Sequence, residues 1–409
     1  MAANDGSNEI LCCVSIPGMM LTWVTLPIPD PRSSVDDMRR RAAEGRRVRE
    51  EVVREIEGRG SRLFDVVEAI NAELSVPRAR RTPRAALRWD QKFAPSPRWE
   101  WYGAHEIIAE CLGAPEPIWD ERSLGWWQNH EQHLAWVQSA ADVARIQVPD
   151  WKNTSPVAKT LAACERWNRA FPEQPAAASF GGYPSFVDLG IYLLGTRFFT
   201  ILGGEPDLAD ALMEKCIELI WSYDEFGRSM RKTPAPKRCD CGGDGMCLLS
   251  PLLYEKYGIG FDLRLFAYFR RTHGTPDDLP CNLHSCGPSG HLYDSWSRHP
   301  FRKNITTMQT RLLPGQVKRL RECLPDTRLE LTLAPPHFDF AAVEPAEVRR
   351  VVWESARDAG FRDVSFTLIV AAHQASNVPR IEANLQACYE TVTEMNRQQD
   401  HSASEGVVA

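Results

Sequence analysis

From residue 151 onward the chain alternates helical and extended periods with short turns between them, and that rhythm restricts the fold more than any other feature of its 409 residues. Apolar spacing predicts helices over 159–169, from Phe186, and over 206–222, 250–271, 313–323, 345–359 and 378–395. Between them lie strand-like runs at 174–180, 236–240, 279–286, 303–309, 328–333 and 364–372. Strand then helix, repeated, implies a parallel sheet with helices outside it. The number of repeats, with no Gly-rich dinucleotide fingerprint, suits closure into a barrel. The expected fold class is α/β, a (β/α)8 TIM barrel, whose chemistry belongs on the loops at the carboxyl ends of the strands.

The amino-terminal part reads differently. Residues 33–59 are dense in charge with apolar residues at helical spacing, which predicts an amphipathic surface helix whose arginines form a solvated face; 64–74 reads as a second helix. Nine of the thirteen tryptophans lie between Trp89 and Trp167, so this region is read as an irregular packed cap, with His130 and His133 structural. The domain expectation is a helical, Trp-rich extension over 1–129, a barrel over 130–396 and a disordered polar tail over 397–409. A net charge of −6 without a basic stripe argues against nucleic acid. The apolar run from Ile10 to Ile28 has no cationic region before it and is broken by Pro17 and Pro27, so neither a signal peptide nor a membrane span is expected. Twelve cysteines without an export signal place the chain by default in the reducing cytoplasm.

The unusual residues fall at strand ends. Leu279 to Cys286 leads into Gly287-Pro288, and in an extended strand residues two apart face the same side, so His284 and Cys286 point together. Imidazole and thiolate are a ligand pair that zinc prefers. In the last strand Val364, Phe366, Leu368 and Val370 share a bulky face suited to helices, whereas Ser365, Thr367, Ile369, Ala371 and His373 share the inward row. His373 is therefore the favoured third ligand. His337 follows Pro335-Pro336, where strand phase is lost, and stands behind it as a ligand; with Asp240 and Asp244 it is a candidate acid–base residue. Either aspartate could instead orient a ligating histidine or cap a helix. Cys239, Cys241 and Cys247 compete as a second zinc or iron–sulfur cluster or as free thiols.

These stretches resemble the uroporphyrinogen decarboxylase superfamily over roughly residues 130–396. Asp240 to Phe266 with its Leu249-Ser-Pro-Leu-Leu-Tyr254 turn, Leu283-His-Ser-Cys-Gly287, Pro379 to Ala387, and Phe180-Gly-Gly-Tyr-Pro-Ser-Phe186 carry the likeness. The arginine-rich motif of true porphyrinogen decarboxylases is absent, Arg78 to Arg84 being differently composed. The His-x-Cys-Gly element is similar to the zinc methyltransferase branch, which moves methyl groups between a corrinoid protein and a thiol. That branch implies zinc on His284 and Cys286, a corrinoid supplied by a partner protein, and Gly181, Gly182 and Tyr183 as cofactor-binding candidates. The branch carries a second cysteine after its last strand, where this chain offers His373. The leading expectation is zinc-dependent methyl transfer to a thiol or other small nucleophile. The alternatives are decarboxylation of a small carboxylic acid or tetrapyrrole, and tetrapyrrole or corrinoid binding without catalysis.

Overall fold

The computed structural model describes residues 10–15, 33–74, 104–116, 118–120, 125–127, 133–173, 175, 178, 180, 184–232, 236–335, 337–371 and 374–405. The strands, in chain order, are β1 (Leu11–Ser15), β2 (Ile118–Asp120), β3 (Gly125–Trp127), β4 (Cys239–Gly242), β5 (Cys281–Ser285), β6 (Ile305–Arg311), β7 (Arg328–Leu333) and β8 (Val364–Ile369). The principal helices are α1 (Val35–Gly58), α2 (Leu63–Glu73), α3 (Ala104–Cys111), α4 (Ser155–Ala170), α5 (Phe186–Leu194), α6 (Arg197–Gly204) and α7 (Pro206–Arg231), then α8 (Ile259–His273), α9 (Val317–Cys323), α10 (Pro345–Asp358) and α11 (Val378–Glu405). The fold is mixed α/β, with six parallel strands and a short antiparallel pair, β2 with β3.

The chain divides into two compact units, one made of residues 1–26, 44–94 and 306–409, the other of 27–43 and 95–305. In the first, β6, β7, β8 and β1 run side by side in parallel, with Gln309 opposite Glu330, Glu330 opposite Ser365, and Thr367 opposite Cys13. β8 has the phase expected of it: Val364, Phe366 and Leu368 are buried while Ser365, Thr367 and Ile369 are half-buried on the other face. Each of those three apolar side chains contributes about 1.5–3 kcal/mol by leaving water. β1 was not expected; Leu11–Ser15 pairs with β8 along its whole length, and Asn71 on α2 closes it by accepting from Val14 N (2.9 Å) and donating to Val14 O (3.2 Å). A five-residue strand followed closely by Pro17 gives almost no periodic signal, which is why it reads as a featureless apolar run.

In the second unit β4 and β5 pair in parallel, with Cys239 opposite Cys281 and Gly242 opposite His284. Trp151 and Trp167 are buried in this unit's core, Trp151 donating its indole N–H to Ser222 Oγ at 3.1 Å, as packing tryptophans do. His133 is half-buried here, and His130, like Trp89, Trp99 and Trp101, lies outside the described residues. Two helices depart from expectation. The run expected to be helical over 250–271 contains a π-helical turn at Tyr254–Gly258 before α8. In the first unit, α11 does not stop at 395 but continues through Glu405, where a disordered tail was expected, and Gln399 Nε2 donates to Phe361 O at 2.8 Å. The strand expected over 174–180 falls largely outside the described residues. No single helix among the described residues is long and apolar enough to cross a membrane.

Candidate metal centre

The site is built where β4 and β5 end. β4 runs out at Gly242, whose φ of +80° only glycine adopts without strain, and a Cβ there would stand 2.3 Å from the carbonyl oxygen of His284. Gly243 N then donates to His284 O at 3.0 Å. From the other side Asp188, in the first turn of α5, accepts the Gly245 N–H at 2.7 Å and the hydroxyl of Ser185 at 2.8 Å. Ser185 in turn caps α5 by accepting from Asp188 N at 3.0 Å. A Cβ on Gly243 would meet Asp188 Oδ2 at 2.3 Å, so the turn is pressed between a strand and a helix end. Its one side chain with a charge, Asp244, is thereby delivered to the end of β5.

Asp244 Oδ1 lies 2.8 Å from His284 Nε2, and Cys286 Sγ lies 2.8 Å from the same nitrogen. The three donor atoms lie within 4.8 Å of one another. The strand parity read from sequence holds, since His284 and Cys286 stand on one face of β5 while Cys281, Leu283 and Ser285 are buried on the other. Hydrogen bonds to Asp244 and then Cys286 outweigh the cost of burial and raise the His284 pKa to about 10. Asp244 is lowered, first by its bond to His284, so it stands as a carboxylate at neutral pH rather than as an acid. Its side chain is 72% exposed and that of His284 28%, so the group opens to solvent.

The geometry discriminates between two chemistries. In a nucleophile–histidine–acid relay the acid and the nucleophile occupy opposite ring nitrogens. Here both face Nε2, which is how donors are arranged around a shared cation. Oxygen, nitrogen and sulfur donors bound to zinc at about 2.0–2.3 Å stand about 3.3–3.8 Å apart, so shifts of about 1 Å suffice to admit it. Three protein ligands with an open side is the arrangement of a catalytic rather than a structural zinc site.

Other expected residues are placed elsewhere. Asp240 accepts from Asn282 Nδ2 across the β4–β5 pair at 3.2 Å. His337 is exposed in the turn after β7. His373, Gly181, Gly182 and Tyr183 lie outside the described residues. Cys247 does not join Cys239 and Cys241; its thiol points to Asp244 O at 3.4 Å, and the third sulfur of the buried group is Cys281.

Beside the site stands a group that sequence reasoning missed. His105 on α3 stacks on Tyr192 of α5 with centroids 5.0 Å apart, its Nδ1 lies 3.7 Å from Glu106 Oε2, and Tyr192 donates to Glu106 Oε1 at 3.0 Å. Burial opposes charge on His105, but Glu106, with Asp188 and Asp244 farther off, overcomes it and raises its pKa. Burial likewise opposes charge on Glu106, and His105 lowers it nevertheless. Nothing in the local sequence marked His105 out from the other histidines.

No family model matches the chain, and no curated protein matches it. Among solved structures, a methyltransferase from Methanosarcina mazei is similar at 14% identity over 94% of both chains, with a TM-score of 0.49. Likeness at that level carries neither family nor activity across.

Proposed function

We propose that this protein is a zinc-dependent enzyme that prepares a small thiol for methyl transfer, with Asp244, His284 and Cys286 as protein ligands and an open position facing solvent. The observation that carries the reading is the convergence of a carboxylate and a sulfur on one imidazole nitrogen at the end of a parallel strand. Zinc would supply a Lewis acid that holds a thiol as thiolate near neutral pH. The residues do the rest. β5 fixes His284 and Cys286, and the Asp188-clamped turn sets Asp244. Asp244 and Cys286 bring two negative charges beside one neutral imidazole, which balances a divalent ion and leaves an added thiolate electron-rich. Methyl transfer then forms the sulfur–carbon bond as the bond from methyl to its donor breaks, with that electron pair departing on the donor. By the superfamily resemblance, the donor is a corrinoid carried on a partner protein, and the six parallel strands belong to a closed barrel. His373 is a reserve ligand in this proposal.

Decarboxylation is less well supported, because hydrogen bonds from His284 and Cys286 favour the ionised form of Asp244, the wrong form for a proton donor. The test is zinc content and thiol methylation in the wild-type protein, His284→Ala and Asp244→Ala. The expectation is one zinc ion more per chain in the wild type than in either variant, and methylated thiol formed only by the protein with the open site loaded. Equal zinc in all three would remove the proposal.

A further inference from the structure

On the opposite face of the same two strands lies a second donor group. Cys239 and Cys241 are two residues apart on β4 and so share a face, and Cys281 stands directly across from Cys239 on β5. All three are at most 3% exposed, and their sulfurs lie within 4.8 Å of one another, Cys239 to Cys241 at 3.9 Å. We propose that Cys239, Cys241 and Cys281 hold a second, buried zinc ion that braces β4 to β5 beneath the open site, with a trapped water completing its four-coordinate shell.

The ordinary alternative is three cysteines packed as small apolar side chains. Three features weigh against it. Sulfurs sharing a zinc ion at about 2.3 Å stand about 3.8–4.0 Å apart, which the Cys239–Cys241 pair already satisfies, whereas a disulfide needs about 2.05 Å. The surroundings are polar where apolar packing would be expected. Asp262 on α8 is fully buried, its Oδ2 lies 3.3 Å from His299 Nε2, its Oδ1 has no hydrogen-bond partner, and its carboxyl is close enough to act electrostatically on all three sulfurs. Tyr254 is also fully buried, with its hydroxyl beside the Trp296 indole but without a well-formed hydrogen bond. An unpartnered buried polar atom is destabilising, so two beside three thiols call for a ligand. Finally, Tyr254 sits at the start of the π-helical turn, a distortion that clusters at functional sites.

Charge selects the ion. Three thiolates around a divalent d10 cation leave one net negative charge, and around Cu⁺ they leave two, which a buried site tolerates less well. With all three cysteines buried, this ion would be taken up as the chain folds and would exchange slowly. Cys241 lies three residues before Asp244 and Cys281 three before His284, so the brace would fix the strands that present the open site.

The experiment uses the full chain carrying His284→Ala and Cys286→Ala together, produced with zinc and dialysed against EDTA. The expectation is one zinc ion per chain retained, with an X-ray absorption first shell dominated by sulfur at about 2.3 Å, and loss of that zinc when Cys281→Ala or Cys239→Ala is added. A zinc-free double variant overturns the proposal, as does retained zinc with a nitrogen and oxygen shell. The first two readings decide the matter even if the added cysteine variants fail to fold. They leave the open-site proposal untouched, because two of its three ligands are absent from the test protein.

Discussion

At the scale of single residues, the site divides into what strand parity could show and what only the fold brings together. His284 and Cys286 were legible because a two-residue repeat is enforced by the pleat itself. Asp244 was visible only as an acid with several roles open, since its partner is forty residues away. Asp188 gave no signal, yet it holds the turn that aims Asp244. Asp188→Ala is expected to weaken zinc binding about 10–100-fold, the range for removing a group that orients a ligand. Asp188→Asn, which keeps one acceptor, should weaken it less. Competition with a fluorescent chelator reads both, and unchanged affinity in Asp188→Ala would show that the turn is held without it. The His105–Glu106 pair should declare itself through pH. A His105 pKa raised above 6.5 adds stability that is complete below 6.5 and is lost as pH rises through the raised value. A Glu106 pKa lowered below 4.5 adds stability that is complete above 4.5 and is lost as pH falls through the lowered value. Both are present between those limits, so His105→Gln should cost about 1–3 kcal/mol near pH 5.5 and clearly less near pH 9. Urea unfolding at the two pH values measures it, and a cost independent of pH would mean the histidine only packs.

At the scale of elements, periodicity located β7 and the body of α10 closely but said nothing about what joins them to their neighbours. The turn between α10 and β8 is strained, with φ of +51° at Phe361 and +48° at Asp363, values uncommon for residues other than glycine. Arg321 on α9 holds it. Its buried guanidinium donates to Ala359 O (3.1 Å) and Arg362 O (2.8 Å) in that turn, and to Thr327 O (2.6 Å) before β7. A sequence reader sees Arg321 as one more basic residue in the last turn of a helix, because carbonyl acceptors have no identity in sequence. Removing the fork would leave buried carbonyls unpaired at about 1–3 kcal/mol each. Arg321→Lys, which keeps the charge but cannot reach three carbonyls at once, is therefore expected to lose about 3 kcal/mol, and Arg321→Met at least as much. Thermal unfolding would show it as a fall in Tm, and a lysine variant as stable as wild type would show that the strain has another support. The π-helical turn at Tyr254–Gly258 was equally hidden, since one inserted residue leaves apolar spacing nearly unchanged.

At the scale of the whole molecule, alternating strands and helices announced a parallel sheet, but not the character of its two faces. Parallel strands covered on both sides read as nearly continuous apolar runs. In the first unit they do not. One face is fully buried, with Leu329, Leu331, Leu333, Val364, Phe366 and Leu368, while Thr307, Gln309, Arg311, Glu330, Thr332, Ser365 and Thr367 line the other and are half-buried. A polar row held half-buried across three neighbouring strands contributes little to folding. Substitutions on the two faces should therefore differ sharply in what they cost. Leu331→Ala is expected to cost about 2–5 kcal/mol through the cavity it leaves. Gln309→Leu or Ser365→Val, on the polar face, should alter stability by about 0.5 kcal/mol or less. The comparison needs only unfolding curves on parallel preparations. If the polar-face variants unfold as easily as Leu331→Ala, those residues are core, and the face is packed as tightly as the apolar one.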